Sequence, residues 1–230
     1  MYLSIFVGSM LGLVTSNILI SLFLFWELTS ISSFFLISFK NTERSSRKSA
    51  ILALGITGFG GLCLLAFAVL AGSMTGTYSI SEMLYSSDVF SQSDLTPLLL
   101  IFLFLAAFTK SAQFPFHFWL PGAMKAPTPV STYLHSATMV KAGVYLLLRF
   151  SPTLGSTELW NTTLIIVGAA TMLYSAFHLI FRTDLKGILA YSTISALGIL
   201  VFLIGIGTQA ALIAAAVFIV VHALYKASLF

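Results

Sequence analysis

The feature that most constrains this chain is a series of apolar stretches, each about twenty residues long, that short polar clusters separate. A helix that crosses a lipid bilayer needs about 20 apolar residues. The composition agrees, because 58% of the residues are hydrophobic and 8% are charged, whereas a soluble domain has about 25% charged residues. The sequence therefore predicts an all-α membrane protein, a multi-span helical bundle embedded in the lipid bilayer.

Apart from a short apolar stretch at the start, the polar clusters divide the chain into about six full spans and one partial span. The apolar segments are 2–15, 18–39, 49–71, 97–120, 130–150, 162–181, 186–206 and 209–230. The first of these segments is short, and the last one ends within its apolar pattern. We therefore expect a piece of a larger bundle.

Prolines interrupt the segment that follows Lys110. They are Pro115, Pro121, Pro127 and Pro129. Proline removes a helix hydrogen bond and clashes with the preceding turn. Backbone groups that are freed at membrane depth are tolerated only inside protein or beside a wet cavity. The sequence therefore predicts a broken helix near Lys110–Pro115, with the lysine in a wet cavity.

The charged loops alternate in sign along the chain. One predicted side carries Lys40, Arg44, Arg47, Lys48, Lys125, Arg182 and Lys186, and the other carries Glu82, Asp88, Asp94 and Glu158 with Arg149 as its basic residue. Because Lys and Arg concentrate in cytoplasmic loops, we expect a multi-pass protein of the cell membrane whose loop 40–48 is cytoplasmic. This topology explains the net charge of +4 without a nucleic-acid partner.

Titratable side chains also lie inside the predicted spans. They are Glu27, Lys110, His135, Lys141, His222 and Lys226. A charged group at membrane depth costs about 2.5–3.5 kcal/mol on insertion and persists where it is paired, hydrated or functional. His222 and Lys226 share one helix face because four residues separate them. The set predicts a path for protons through the bundle.

A carboxylate near a lysine stays ionised, and one whose lysine moves away takes up a proton. Glu27, the only carboxylate in these spans, would act as a switch in this way. The alternatives are a structural ion pair for Glu27 and a hydrogen-bonded core histidine for His135. His117 and His178 lie near helix ends, and we expect them at the membrane interface.

The sequence contains no motif that is typical of an enzyme active site. Its single cysteine, Cys63, lies in an apolar run, so the chain forms no disulfide framework and no Cys-based metal site. Zinc-ligand spacings and nucleotide-binding or hydrolase motifs are also missing from the sequence. We therefore expect no catalytic site, no metal and no cofactor in this chain.

Several longer strings point to one family. They are Thr109-Lys110-Ser-Ala-Gln-Phe-Pro115, Trp119-Leu-Pro-Gly-Ala-Met124, Ala126-Pro-Thr-Pro-Val130, His135-Ser-Ala-Thr-Met-Val140, Ala142-Gly-Val-Tyr145, Asp184-Leu-Lys186 and His222-Ala-Leu-Tyr-Lys226. With them, the sequence resembles the antiporter-like membrane subunits shared by respiratory complex I and the Mrp-type cation/proton antiporters. Phe25-Trp26-Glu27 and Met139-Val-Lys141 are most similar to the large antiporter-like subunit of the Mrp antiporters.

The resemblance implies a fourteen-helix fold with two inverted five-helix repeats, each holding a broken helix. Residues 1–230 would be one transmembrane antiporter-like domain, truncated at both ends. Residues 1–150 would then form most of the first repeat, and 160–230 the linking helix and the start of the second.

The resemblance also implies roles for individual residues. Glu27 takes the place of the glutamate of the fifth helix, and Lys110 that of the lysine that pairs with it from the broken seventh helix. His135 is similar to the histidine of the eighth helix. Lys186 corresponds to the lysine at the foot of the linking helix, and Lys226, with His222 beside it, to the second-half lysine.

Two positions depart from the complex I pattern. An acidic residue of the sixth helix is replaced here by Gly60-Gly61, and a second histidine is replaced by Phe218. The resemblance therefore implies a membrane subunit of a multisubunit Na+/proton antiporter, with other membrane subunits, protons and Na+ as partners. The alternative is a proton-pumping subunit of NADH:quinone oxidoreductase or of a related membrane-bound hydrogenase, whose redox cofactors lie in other subunits.

Overall fold

The computed structural model describes residues 1–39, 42–134 and 138–230. Within these ranges the regular elements are α-helices, short 3-10 turns at Phe116–Phe118 and Met139–Lys141, and one isolated antiparallel bridge between Ile18 and Ser79. The helices are α1 (Tyr2–Thr15), α2 (Leu19–Ile37), α3 (Arg44–Thr75), α4 (Ile80–Met83), α5 (Ser87–Gln92), α6 (Thr96–Lys110), α7 (Trp119–Ala123), α8 (Thr128–Thr132), α9 (Ala142–Leu154), α10 (Glu158–Ile180), α11 (Leu185–Ile206) and α12 (Gln209–Leu229).

Five of these helices are long and apolar enough to cross a membrane. They are α2, α3, α10, α11 and α12, while α1 and α6 are apolar but shorter. The all-helical membrane class is therefore confirmed.

Two of the apolar segments are divided in the structure. Segment 97–120 consists of α6, which ends at Lys110, and of the separate short helix α7. Segment 130–150 contains α9, which begins only at Ala142 after a 3-10 turn. The division of segment 97–120 after Lys110 lies where the prolines predict a broken helix. The expectation of one continuous span over 130–150 was wrong, because a count of apolar residues does not show where the backbone changes direction.

A side-chain cap and a glycine cap define where α11 begins and ends. The Asp184 carboxylate accepts a hydrogen bond of 2.7 Å from the backbone N–H of Gly187 at the start of α11. Gly207 ends the same helix with φ of 70°, a left-handed conformation that glycine adopts without a steric penalty. Such caps satisfy terminal backbone groups that the helix itself leaves without partners.

Polar contacts gather the loops at each end of the bundle. At the basic end, Lys125 Nζ donates to the backbone oxygen of Ser45 at 3.4 Å. At the other end, Asn17 Oδ1 accepts from Ser81 Oγ at 2.6 Å and from Arg149 Nη2 at 3.5 Å. The structure therefore groups these loops as the charge pattern predicts, with Arg149 on the less basic side.

Candidate functional site

The break after α6 turns the chain inside the bundle. Ala112 has φ of 48°, which leaves the helical region, and the backbone then continues to the turn at Phe116–Phe118. Trp119 Nε1 donates to the Thr109 oxygen at 2.9 Å, and Phe114 N donates to Thr171 Oγ1 on α10 at 2.9 Å. Side chains thus satisfy backbone groups that a broken helix would otherwise leave unpaired in an apolar medium.

The prolines have different places in this region. Pro115 directly precedes the 3-10 turn, and Pro127 precedes α8. Pro121 and Pro129 lie in the first turns of α7 and α8, where proline is tolerated because the missing N–H has no helical partner there. All four prolines thus lie in the region where the chain is interrupted after α6, and their role in the helix break stays a prediction.

Lys110 lies at the end of α6 and is fully buried. Its Nζ donates to Ser30 Oγ at 2.7 Å and to the Trp26 backbone oxygen at 3.1 Å, both on α2. The ammonium also lies 5.1 Å from the centre of the Trp26 ring, within the range of a cation–π interaction. A buried charge thus obtains its hydrogen bonds from a neighbouring helix.

Glu27 follows Trp26 on α2 and is half-buried. Its Oε1 is buried and, among the described residues, has no hydrogen-bond partner. No hydrogen bond or ion pair in the described structure joins Glu27 to Lys110, although the lysine contacts the preceding residue. The two groups are therefore neighbours that the structure holds apart.

Two adjacent glycines of α3 make room for polar side chains of the neighbouring helices. A Cβ at Gly61 would overlap Glu27 Oε1, and a Cβ at Gly60 would overlap Thr109 Oγ1. The Gly60-Gly61 pair, where the resemblance expects an acidic residue, therefore accommodates the Glu27 carboxylate.

Lys141 is buried at the start of α9. Its Nζ donates to the Ile219 backbone oxygen of α12 at 3.0 Å. The same side chain lines a largely apolar cavity of about 200 Å3 together with Met10, Val14 and Tyr145. The lysine thus joins the first half of the chain to α12 at the edge of a space large enough for several water molecules.

His222 and Lys226 lie on α12 and are both buried. Lys226 Nζ donates to Ser192 Oγ and, at 3.3 Å, to the Leu189 oxygen on α11. Both ring nitrogens of His222 are buried without a hydrogen-bond partner in the described part of the chain. Because a buried polar group normally has a partner, this histidine is the most prominent unsatisfied group of the second half.

Lys186 lies at the start of α11 and is half-buried. Its Nζ donates to the Ala126 backbone oxygen at 3.0 Å. The contact fixes the proline-containing turn between α7 and α8 against the foot of α11. The structure therefore places Lys186 at the basic end of the bundle, away from the contacts that hold the other three lysines.

Two predicted positions, His135 and Lys40, lie outside the described residues.

His117 was expected at an interface but is buried, with its ring centre 4.5 Å from that of Tyr174. Tyr174 also stacks on His178 at 4.0 Å, so tertiary packing brings together two histidines that are distant in sequence. In the described ranges, no group of three or more His, Cys, Asp or Glu side chains could hold a metal ion.

Sequence reasoning missed two lysine partners, Ser30 and Ser192. The available signal was an adjacent pair of hydroxyl residues in each apolar helix, Thr29-Ser30 and Ser192-Thr193. Serine and threonine inside a helix usually bond to the preceding turn, so the pattern alone did not single them out.

Comparisons with known proteins agree with this architecture. In a Rhizobium meliloti (strain 1021) protein whose name describes a component of a K(+)/H(+) antiporter, 52% of 225 aligned residues are identical, covering 98% of this chain and 22% of that protein. An antiporter subunit mnhA2 of Staphylococcus saprophyticus is 48% identical over 243 residues, covering all of this chain and 30% of that protein.

A solved structure of the Mrp complex from Dietzia sp. DQ12-45-1b superposes on 99% of this chain with a TM-score of 0.95 and 48% identity, over 25% of that structure's chain. This chain therefore spans between a fifth and a third of the length of these relatives. The family model described as NADH:quinone oxidoreductase/Mrp antiporter, TM, matches residues 3–230. The chain belongs to this family of membrane proteins.

Proposed function

We propose that this chain is part of a membrane subunit of a multisubunit monovalent cation/proton antiporter, with Na+ as the expected cation. The observation that carries the proposal is the burial of Lys110, Lys141 and Lys226 in the bundle, each bonded to a carbonyl of another helix. Charges at membrane depth are costly and persist where they serve a function. The names of the relatives support an antiporter rather than a redox-driven pump.

The proposed mechanism passes protons along the middle of the bundle. A change in the separation of Glu27 and Lys110 alters how readily each group holds a proton, because each charge stabilises the other. Protons then move by way of His135 and Lys141 to His222 and Lys226. Lys186 is the remaining member of the path, at the foot of α11.

The wider assembly is part of the same proposal. Residues 1–150 correspond to most of a first inverted repeat and 160–230 to the linking helix and the start of a second, within a fourteen-helix domain. Other membrane subunits complete the antiporter in the cell membrane, and loop 40–48 faces the cytoplasm. The five apolar helices and the separation of charge between the two ends support this arrangement.

The test uses the full-length parent protein, expressed with its partner subunits, in everted membrane vesicles. A respiration-generated proton gradient is established, and its dissipation is followed after Na+ or K+ is added. We expect cation-driven dissipation that Lys110→Ala and Glu27→Ala each reduce to the background rate, because both substitutions remove a buried charge of the path.

Lys125→Ala and Glu158→Gln serve as matched controls, because both side chains are exposed. We expect them to retain at least about half of the wild-type rate, since substitutions of exposed charges are usually nearly neutral. Full transport by Lys110→Ala would refute the proposed path. If no added cation dissipates the proton gradient and the same complex pumps protons when NADH is supplied, the chain belongs to a subunit of NADH:quinone oxidoreductase.

A further inference from the structure

Two of the buried lysines are held by the same arrangement of groups on two different helix pairs. Lys110 on α6 donates to Ser30 Oγ and to the Trp26 oxygen of α2. Lys226 on α12 donates to Ser192 Oγ and to the Leu189 oxygen of α11. In each case the contacts link one ammonium to one serine and one carbonyl.

Each serine also bonds to the same carbonyl as the lysine. The ammonium, the serine hydroxyl and the carbonyl therefore form a triangle of hydrogen bonds. Ser30 Oγ donates to the Trp26 oxygen at 3.2 Å, and Ser192 Oγ donates to the Leu189 oxygen at 2.9 Å. A serine hydroxyl has one hydrogen to donate and two lone pairs to accept with. In both places it therefore accepts from the ammonium and donates to the helix at the same time.

The serine oxygen is the principal partner of each ammonium. A carbonyl oxygen has two lone pairs, and a neighbouring threonine donates to each of these two carbonyls as well as the serine and the lysine, so the donors outnumber the lone pairs. Thr29 Oγ1 donates to the Trp26 oxygen at 2.7 Å, and Thr193 Oγ1 donates to the Leu189 oxygen at 2.8 Å. The lysine also lies closer to the serine oxygen than to the carbonyl oxygen in both triangles.

The residue after the shared carbonyl differs between the two sites. On α2 it is Glu27, whose Oε1 is buried and unpaired in the described structure. On α11 it is Ala190. Besides the Trp26 carbonyl, Lys110 therefore has two side-chain acceptors within one helical turn. It bonds to the neutral Ser30 hydroxyl and does not bond to the Glu27 carboxylate in the described structure.

We propose that Ser30 and Ser192 are positioning residues that hold the ammonium groups of Lys110 and Lys226 in one defined position of the transport cycle. For Lys110 the other position is on Glu27. The lysine keeps its proton while it bonds to Ser30 and leaves this partner when it pairs with the carboxylate. This inference rests on the proposed function, because it assigns a role within the same proton path.

The first test measures antiport by the full-length complex carrying Ser30→Ala or Ser192→Ala. A hydrogen bond to a charged group is strong enough that its loss shifts an equilibrium about tenfold or more. We expect each substitution to lower the maximal rate about tenfold and to leave the apparent KM for the cation unchanged. Ser30→Thr and Ser192→Thr keep the hydroxyl and are expected to restore most of the wild-type rate.

Two serines on the same helices are matched controls. Ser33 Oγ donates to the Ser30 backbone oxygen at 2.8 Å, and Ser195 Oγ donates to the Met172 oxygen at 3.3 Å. Within the described ranges neither hydroxyl has a hydrogen bond to a lysine, so Ser33→Ala and Ser195→Ala remove the same atom and leave the lysine–serine–carbonyl contacts in place. Equal rates in the control and triangle variants would overturn the proposal.

A second test does not depend on transport. A double-mutant cycle combines Ser30→Ala with Lys110→Met, and the unfolding equilibrium of the purified complex is compared for all four proteins. We expect a coupling of about tenfold for this pair and no coupling between Ser33→Ala and Lys110→Met. No coupling for the first pair would refute the contact.

The two tests distinguish a failure of the proposed antiport function from a failure of the proposed serine–lysine contact. Wild-type vesicles that show no cation-driven proton movement would refute the proposed function, while the double-mutant cycle would still decide whether Ser30 holds Lys110. If Ser30→Ala does not assemble, the equivalent cycle of Ser192→Ala with Lys226→Met provides the same decision.

Discussion

The missing side chain at Gly61 determines where the Glu27 carboxylate can lie. A Cβ at this position would overlap Glu27 Oε1, so the carboxylate occupies space that a larger residue at position 61 would fill. In lipid, small residues at helix contacts allow close approach. The glycine content of α3 predicts close packing, but the structure identifies which glycine faces the carboxylate.

We expect Gly61→Ala to impair antiport by about tenfold or more, because displacing a reacting group by about 1 Å can reduce a rate by about 100-fold. It should change the stability of the complex only slightly, because the overlapping atoms belong to the end of a flexible side chain that can move aside. The measurements are the antiport rate per assembled complex and the thermal unfolding of the complex.

Gly58→Ala is the control on the same helix, because a Cβ there would meet no heavy atom within 4 Å. It should leave transport unchanged and favour the helix by about 0.8–1.0 kcal/mol. If both variants behaved alike, the Gly61 contact would not position Glu27.

At the scale of elements, α10 and α11 contact through their backbones. A Cβ at Gly198 would lie 2.7 Å from the Met172 nitrogen and 2.9 Å from the Gly168 oxygen. Backbone atoms cannot move aside as flexible side chains can, so this contact depends on glycine. It fixes α11, which also carries the Ser192 and Leu189 partners of Lys226.

Gly198→Ala is therefore expected to lower the free energy of unfolding of the complex by about 1–3 kcal/mol, because the two helices must separate to accept the methyl group. Gly8→Ala on α1 is the control, because a Cβ at Gly8 would meet nothing within 4 Å. Thermal unfolding of both variants checks the prediction. A loss of stability in Gly8→Ala as large as that in Gly198→Ala would contradict it.

At the scale of the whole molecule, α3 separates the two sets of loops. Its 32 residues give a length of about 48 Å at 1.5 Å per residue, which exceeds the bilayer core of about 30 Å. Arg47 is exposed near the start of this helix and Tyr85 is exposed in the loops beyond its end. In the proposed topology, these two positions lie on opposite sides of the membrane.

We expect a membrane-impermeant thiol reagent to label Tyr85→Cys in intact cells and Arg47→Cys only in everted vesicles, because basic loops stay in the cytoplasm. The variants are made in a cysteine-free parent, with Cys63, which is buried, replaced by Ala. The reverse pattern of labelling would invert the proposed topology, and labelling of both in intact cells would refute the transmembrane placement of α3.

The sequence by itself determined the membrane class, the titratable residues inside the spans and the alternation of charged loops. These properties follow from local composition, because each residue carries its transfer free energy and charge wherever the chain places it. The sequence also located the break after Lys110, since proline acts on its own backbone and on the preceding turn.

Only the tertiary structure decided which groups meet. Lys110 bonds to Ser30, which is 80 residues away in sequence, and Lys226 bonds to Ser192. Glu27 Oε1 lies beside Gly61 and has no hydrogen-bond partner among the described residues. Helix periodicity defines the faces of each helix but not the neighbour that each face contacts. The partners of the buried lysines therefore depend on helix packing, which short-range patterns in a sequence do not specify.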